Sequence, residues 1–289
     1  WALALYFYYG FLDFERALTE LDRVRVLQPH QAEAHAYRGF VLRRAGRPVE
    51  ALQSLRQSLE RDPRNAATIY ELAATHAFLH QDLEADATCR RGLKTAPAVS
   101  DFRLQCLNFA VRVAGTSAPS LAAEREGSGD VAWLRYERAL NEGRFADALQ
   151  HLNRLSDDHF SEWAGAPPRA QLLGDLLRYQ GDTAGAQHAD RRAERELLER
   201  LKAYTNPSAL VTNQAFARAL LGQVYASLGR SSEAYAQAQR ARELLPESRD
   251  RFYGPSLSEE LVKIQLRLGE TEAALNDYLK KQSSLEARD

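Results

Sequence analysis

Methionine is missing altogether from the 289 residues, cysteine occurs only twice, and charge of one sign never gathers into a tract. With Trp1 as the first residue, the missing methionine predicts a processed or trimmed segment, an engineered chain, or a modified methionine in disguise. Long apolar runs are also lacking. The opening stretch WALALYFYYGFL has 12 residues without a charge, short of the roughly 20 a helix needs to cross a bilayer. Charged residues make up 27% of the chain, with both signs interspersed and a net charge of −1. That balance carries no footprint for nucleic acid or anionic lipid, and no acidic tail.

Reactive constellations are scarce too. There is no glycine-rich phosphate loop, no serine elbow and no HExxH signature. His76 and His80 are four residues apart beside Asp82 and Glu84, but His76 takes an inward place and His80 a turn. No third ligand of predictable geometry joins them. His30 and His35 are read the same way, and the carboxylate neighbours Asp157–Asp158 and Glu259–Glu260 as solvated surface. No catalytic residue, cofactor or metal is expected. Cys89 and Cys106 fall at inward places of consecutive helices, where two buried thiols and a disulfide both remain open. Without a disulfide they do not reveal the compartment, for which the cytoplasm is favoured over the periplasm.

What is present is a rhythm. Ala17, Ala51 and Ala85 stand 34 residues apart, and so do Pro29, Pro63 and Pro97. Residues 32–45, AEAHAYRGFVLRRA, place Ala34, Tyr37, Val41 and Leu42 at helical spacing before Gly46. A second helix runs from about Pro48 to about Arg61, with Ala51, Leu52, Leu55, Ser58 and Leu59 inward, and Asp62-Pro63 stops it. Small residues at Gly39, Ala51 and Ser58 allow the two helices to approach closely. Helix pairs are predicted to turn at Gly10–Leu12, Gly46, His80–Gln81, Gly143, Gly181, Gly229 and Gly269. In the second half the alanine steps lengthen to 38, 48 and 40 residues (Ala148, Ala186, Ala234, Ala274), and Thr183–Ala203 reads as one long second helix.

This pattern resembles the tetratricopeptide repeat family, whose unit is a 34-residue helix–turn–helix. The likeness is closest over 32–65, where Gly39, Ala51 and Pro63 take the signature places. It implies an all-α, right-handed superhelical solenoid of about eight hairpins, one of them degenerate over 100–128. Residues 1–115 would hold the N-terminal units, the first truncated, plus the start of the degenerate one. Residues 116–130 would form a linker or hinge, and 131–289 the C-terminal units. Phe160 and Trp163, in the irregular stretch 156–168, would plug the space between units or cap a groove.

The resemblance also implies a concave groove lined by first-helix residues. Carried over place by place, these are Tyr6, Tyr9, Phe40, Arg43, Arg44, Tyr70 and Phe78 in the N-terminal half. In the C-terminal half they are Trp133, Glu137, Asn141, Gln171, Asp175, Arg178, Tyr179, Gln223, Lys263 and Arg267. Arg43 and Arg44 are expected on the groove's rim or floor, outside the core between helices. The implied partner is a protein or peptide, with no nucleic acid and no membrane insertion; the oligomeric state stays open. The chaperone-tail clamp of some family members is not expected, because its places hold Ala2, Tyr6, Ala36 and Phe40. A weaker likeness is to the C-terminal repeat regions of bacterial multidomain signalling proteins. A groove that closes on a small effector or short peptide is the alternative.

Overall fold

The computed structural model describes residues 1–95, 106, 129–155, 165–204 and 211–286. Among them every regular element is a helix: α1 (Ala2–Leu5), running on as a π-helical turn (Tyr6–Phe11), α2 (Phe14–Leu27), α3 (Ala32–Arg44), α4 (Pro48–Arg61), α5 (Ala66–Phe78) and α6 (Asp82–Thr95). There follow α7 (Gly129–Asn141), α8 (Phe145–Leu152), α9 (Arg169–Tyr179), α10 (Thr183–Ala203), α11 (Val211–Ser227), α12 (Ser231–Leu244), α13 (Tyr253–Arg267) and α14 (Thr271–Glu286). Two compact units divide the chain, 1–143 and 144–289. The linker and degenerate-unit readings, and the residues Phe160 and Trp163, fall wholly or mostly outside the described residues.

Helices pair antiparallel across tight turns, and each predicted turn holds a residue in the left-handed region. Leu12, Gly46, His80, Gly143, Gly181, Gly229 and Gly269 have φ of 50°, 82°, 56°, 71°, 83°, 75° and 81°. Five of the seven are glycine, which alone adopts this conformation without strain at its Cβ. At Gly46 the geometry also satisfies the helix end. Its N–H donates to the Arg43 carbonyl and the Arg47 N–H to the Leu42 carbonyl, capping groups that α3 would otherwise leave open.

Pairing within and between hairpins rests on small residues facing large ones. A Cβ on Gly39 would meet Leu55 Cγ of the same hairpin at 2.6 Å, and one on Gly222 would meet Ile264 Cδ1 of the next hairpin at 2.7 Å. Ala17, Ala51, Ala85, Ala148 and Ala234 are fully buried at the crossing. The stabilisation is hydrophobic burial at close packing, with helices capped where the sequence offers a carboxylate or amide. Asp13 accepts from the Arg16 N–H at 3.1 Å, Asn65 from the Thr68 N–H at 3.0 Å and Asp182 from the Gly185 N–H at 2.8 Å.

Of the two alternatives left open for the cysteines, the disulfide is formed. Cys89 and Cys106 are joined with their Cα atoms 5.3 Å apart, inside a cluster with Ile69, Ala73, Ala77 and Ala85. Gln57, which helical phase places on the solvent face of α4, is half-buried and pairs with His35 Nδ1 at 3.1 Å. His76 is buried and pairs with Gln81 Oε1 at 2.7 Å across the α5–α6 turn. No described helix is long and apolar enough to cross a membrane.

Candidate functional site

Within 1–143 the proposed lining residues divide by fate. Tyr6 is 56% exposed and leans on Phe11, with ring centres 4.8 Å apart. Tyr9 and Phe40 are half-buried around Tyr37, at 6.5 and 5.2 Å. Burial raises the Tyr9 phenol, and the neighbouring phenols of Tyr8 and Tyr37 add to it. Tyr70 and Phe78 are half-buried on α5, and Trp133 is half-buried against Tyr136 on α7.

The two arginines correct the sequence expectation. Arg43 and Arg44 are each only 3% exposed. Arg43 donates to the Glu71 carboxylate and to Thr75 Oγ1 at 3.2 Å, both on the first helix of the next hairpin. The Arg44 guanidinium lies over the rings of Tyr8 at 4.9 Å and Phe14 at 5.4 Å. A guanidinium can leave water when fork-shaped hydrogen bonds or aromatic faces replace its hydration. Both are therefore cement between hairpins, inside the core where they were expected outside it.

The other candidates meet within 144–289. A cavity of about 560 Å³ opens between α9, α11 and α13, lined by Asp175, Arg178, Tyr179, Ser227, Lys263, Leu266 and Arg267. Asp175, Arg178, Tyr179, Lys263 and Arg267 were all assigned to the C-terminal lining from sequence. The helices end here, so their last carbonyls face the cavity's surroundings and favour cations in the final turn. Arg178 and Arg267 occupy those final turns.

Arg267 donates through both terminal nitrogens to Asp175, at 2.6 and 2.7 Å, and to Ser227 Oγ at 2.7 Å. Arg178, whose side chain is 39% exposed, reaches Asp175 at 2.9 Å and, through Nη2, the fully buried carboxylate of Asp190. Tyr179 is 64% exposed and stacks on Phe145, 4.8 Å apart with planes 4° from parallel. Lys263 Nζ binds Glu260 at 2.7 Å. A buried polar ladder runs across the three first helices. Gln171 Nε2 donates to Gln223 Oε1 at 3.0 Å, and Gln223 Nε2 to Glu260 Oε2 at 2.8 Å. Gln171 and Gln223 thus support the lining from beneath and are not exposed on it.

Burial dominates at Asp190, pushing its carboxyl up to about 6. The charge of Asp175 adds to the rise, while Arg178 and Arg267 oppose it. Its Oδ1 has no hydrogen-bond partner and presses on Gly174, where a Cβ would sit 2.5 Å away. At Arg267 burial opposes the charged form, but the Asp175 pair outweighs it and leaves that guanidinium more basic than usual. The lining thus combines three cations and their carboxylates with one exposed ring and one leucine. Sequence reasoning missed Ser227, Leu266 and Asp190. The signal for Asp190 was available: counting four residues past each hairpin alanine gives Leu21, Leu55, Cys89, Leu152, Asp190, Ala238 and Tyr278, a single carboxylate in an otherwise uncharged column.

These features define a class: stacked helix hairpins whose first helices line a surface. Residues 32–65, the α3–α4 hairpin, match the tetratricopeptide repeat model. The family model thus covers this one hairpin, and the other helix pairs share its architecture. No curated protein matches it. Among solved structures it is similar to the APC/C hetero-tetramer Cut9-Hcn1, at 14% identity over 96% of this chain and 50% of that one, with a TM-score of 0.48. The chain thus spans half the length of that relative. It is also similar to PilW, a type IV pilus biogenesis factor, at 17% identity over 90% and 94% with a TM-score of 0.38. A tetratricopeptide repeat protein from Parabacteroides merdae aligns at 16% identity over 96% and 91%, again with 0.38.

Proposed function

We propose that the chain is a non-catalytic repeat scaffold that holds a segment of a protein partner, and that the cavity between α9, α11 and α13 is its principal seat. The observation that carries this reading is the convergence of Arg178, Tyr179, Lys263, Leu266 and Arg267 on one opening. An exposed ring and a leucine suit an apolar anchor, and the half-exposed cations suit a polar or acidic neighbour. The likeness of the sequence to repeat regions of bacterial signalling proteins supports an interaction role within a larger regulator. The Cys89–Cys106 disulfide supports an oxidising compartment over the cytoplasm, which was favoured over the periplasm on sequence.

Affinity capture with the wild-type chain and with a Tyr179→Ala, Lys263→Glu variant, read by mass spectrometry and then by titration of the retained protein, tests the proposal. The partner should be lost from the variant while helicity is kept. Equal retention would place the interaction elsewhere. A second reading has the volume of the cavity in its favour, since about 560 Å³ also suits a small effector. A partner that competes with nothing in the cavity, while small solutes raise the melting temperature, would favour that reading.

A further inference from the structure

We infer that the cavity between α9, α11 and α13 is a proton-coupled anion site, in which an anionic group takes the Nη2 donor of Arg178 from Asp190 and Asp190 takes up a proton from solvent. The inference rests on the reading of this cavity as a partner's seat and adds its ligand chemistry and its control.

Asp190 is the only charged residue in its column of the repeat, and none of its side chain reaches water. One oxygen holds Arg178 and the other has no partner. A buried carboxylate satisfied on one side only is costly while ionised and much cheaper as the neutral acid. Arg178, by contrast, sits at the cavity wall with its side chain 39% exposed, so it can reach a ligand without unpacking a helix.

Charge balance supplies the coupling. Arg178 and Arg267 carry two positive charges against the two negative charges of Asp175 and Asp190, and Lys263 is matched by Glu260. A bound anion adds at least one negative charge to this balanced cluster. Protonating Asp190 cancels one such charge, and Arg178 keeps its own charge while its Nη2–H turns from the carboxyl to the ligand. No covalent bond changes, and water or buffer supplies the proton.

The charged groups that face Asp190 are Arg178 and Asp175 from α9 and Arg267 from α13. On α11, the other helix packed against α10, Tyr225 lies under the Arg230 guanidinium and Arg218 binds Gln237. Glu194, one turn along from Asp190, is held by Arg230. Asp190 is thus the carboxylate placed to titrate as Arg178 moves. Its carboxyl, already lifted to about 6, lies within reach of mild acidification.

Sulfate is a suitable probe because it does not itself titrate in this range. Calorimetric titration of the full chain at about pH 5 and about pH 7.5 should show affinity rising roughly tenfold or more toward acid. Histidines titrate over the same interval, so the decisive comparison is with Asp190→Asn. That variant should bind sulfate equally at both pH values, near the wild-type affinity in acid. Asp190→Leu places at this crossing the residue that Leu55 supplies at its own, over Gly39, and should flatten the dependence in the same way. Arg178→Gln should weaken binding at least tenfold at the lower pH.

Parallel pH curves for wild type and both Asp190 variants would overturn the inference, and so would an absence of sulfate binding by the folded wild type at both pH values. Proton-coupled sulfate binding in a chain whose captured partner ignores Arg178→Gln would uphold the anion site and sink the partner reading instead.

Discussion

Arg43 and Arg178 stand at the same place, three residues before the turn glycine of their hairpins, and meet opposite fates. Arg43 is buried and reaches forward to Glu71 and Thr75 on α5. The corresponding places on α11 hold Leu220 and Val224, both fully buried and apolar. Arg178 accordingly turns back to carboxylates of its own hairpin, Asp175 and Asp190, and remains half in solvent. Partners beneath the arginines differ as well: Leu55 packs on Gly39 in one hairpin, Asp190 on Gly174 in the other. One register therefore yields structural cement in 1–143 and a half-exposed cation at a cavity wall in 144–289, decided by what the next first helix offers.

The greatest loss of stability is expected at Arg43. Arg43→Met removes the cation but leaves Glu71 and Thr75 facing the cavity it vacates. Loss of one partner from a buried pair costs about 3 kcal/mol in such settings, and urea unfolding should report it. Arg43→Glu with Arg44→Glu should cost more still, through like charge against Glu71 and loss of the contacts with Tyr8 and Phe14. Arg178→Gln should cost about 1 kcal/mol, because Asp190 can protonate when its partner goes. Equal losses at the two arginines would show that their surroundings do not differ in the way described.

Reduction of Cys89–Cys106 comes next. It releases a cross-link over 17 residues of sequence, for which about 3 kcal/mol is ordinary on a chain-entropy account. Melting with and without reductant should differ in the unit 1–143. An unchanged transition would show that the bond closes no loop that the folded chain needs closed.

Packing at the crossing follows. Ala51→Leu should overpack α4 against α3, where Gly39 and Leu55 already meet closely, at about 1–3 kcal/mol. Gln53→Glu, on the exposed face, should cost little. Gln57 is not the neutral control that helical phase suggests, because it holds His35.

These outcomes bear on how much was legible. The hairpins, their seven turns and the long α10 could be read because glycine spacing and apolar period are local properties of the chain. Five of the seven cavity residues could be read because a repeat carries side-chain direction from unit to unit. Arg43 and Arg44 are misplaced because the first-helix residues that face the groove also meet the neighbouring hairpins. Arg43 meets Glu71 and Thr75 of the next hairpin, and Arg44 meets Tyr8 and Phe14 of the preceding one, all about 30 positions or more away in sequence. Asp190 was legible only by setting the hairpins in one column, where its charge stands alone.

Asp190 also gives the unit 144–289 a pH signature. Its folded pKa of about 6 lies above the ordinary carboxylate value, so between about pH 4 and 6 the folded state binds the extra proton. Stability from this group is fully present below that window and falls as pH rises through it. The difference should be on the order of 1–3 kcal/mol. Asp190→Asn should flatten this part of the stability profile. A wild type that loses stability monotonically on acidification across the same window, with no change in slope in the variant, would remove Asp190 from the account.

Partner binding should respond least. Tyr179 and Lys263 are well exposed, so truncating either should leave unfolding within about 0.5 kcal/mol of wild type. If the cavity seats the partner, Tyr179→Ala removes a ring held ready by its stack on Phe145, and Lys263→Ala removes a cation beside Leu266. Each should weaken the captured partner about fivefold to tenfold, or about 1 kcal/mol. Raised salt should diminish the Lys263 effect and spare the Tyr179 effect, since only the former is electrostatic. Tyr6→Ala is the matched change in 1–143, where an exposed ring leans on Phe11. It should leave affinity unchanged. A greater loss from Tyr6→Ala than from Tyr179→Ala would move the working surface to the N-terminal hairpins, and the arginines buried there would then be the frame around it.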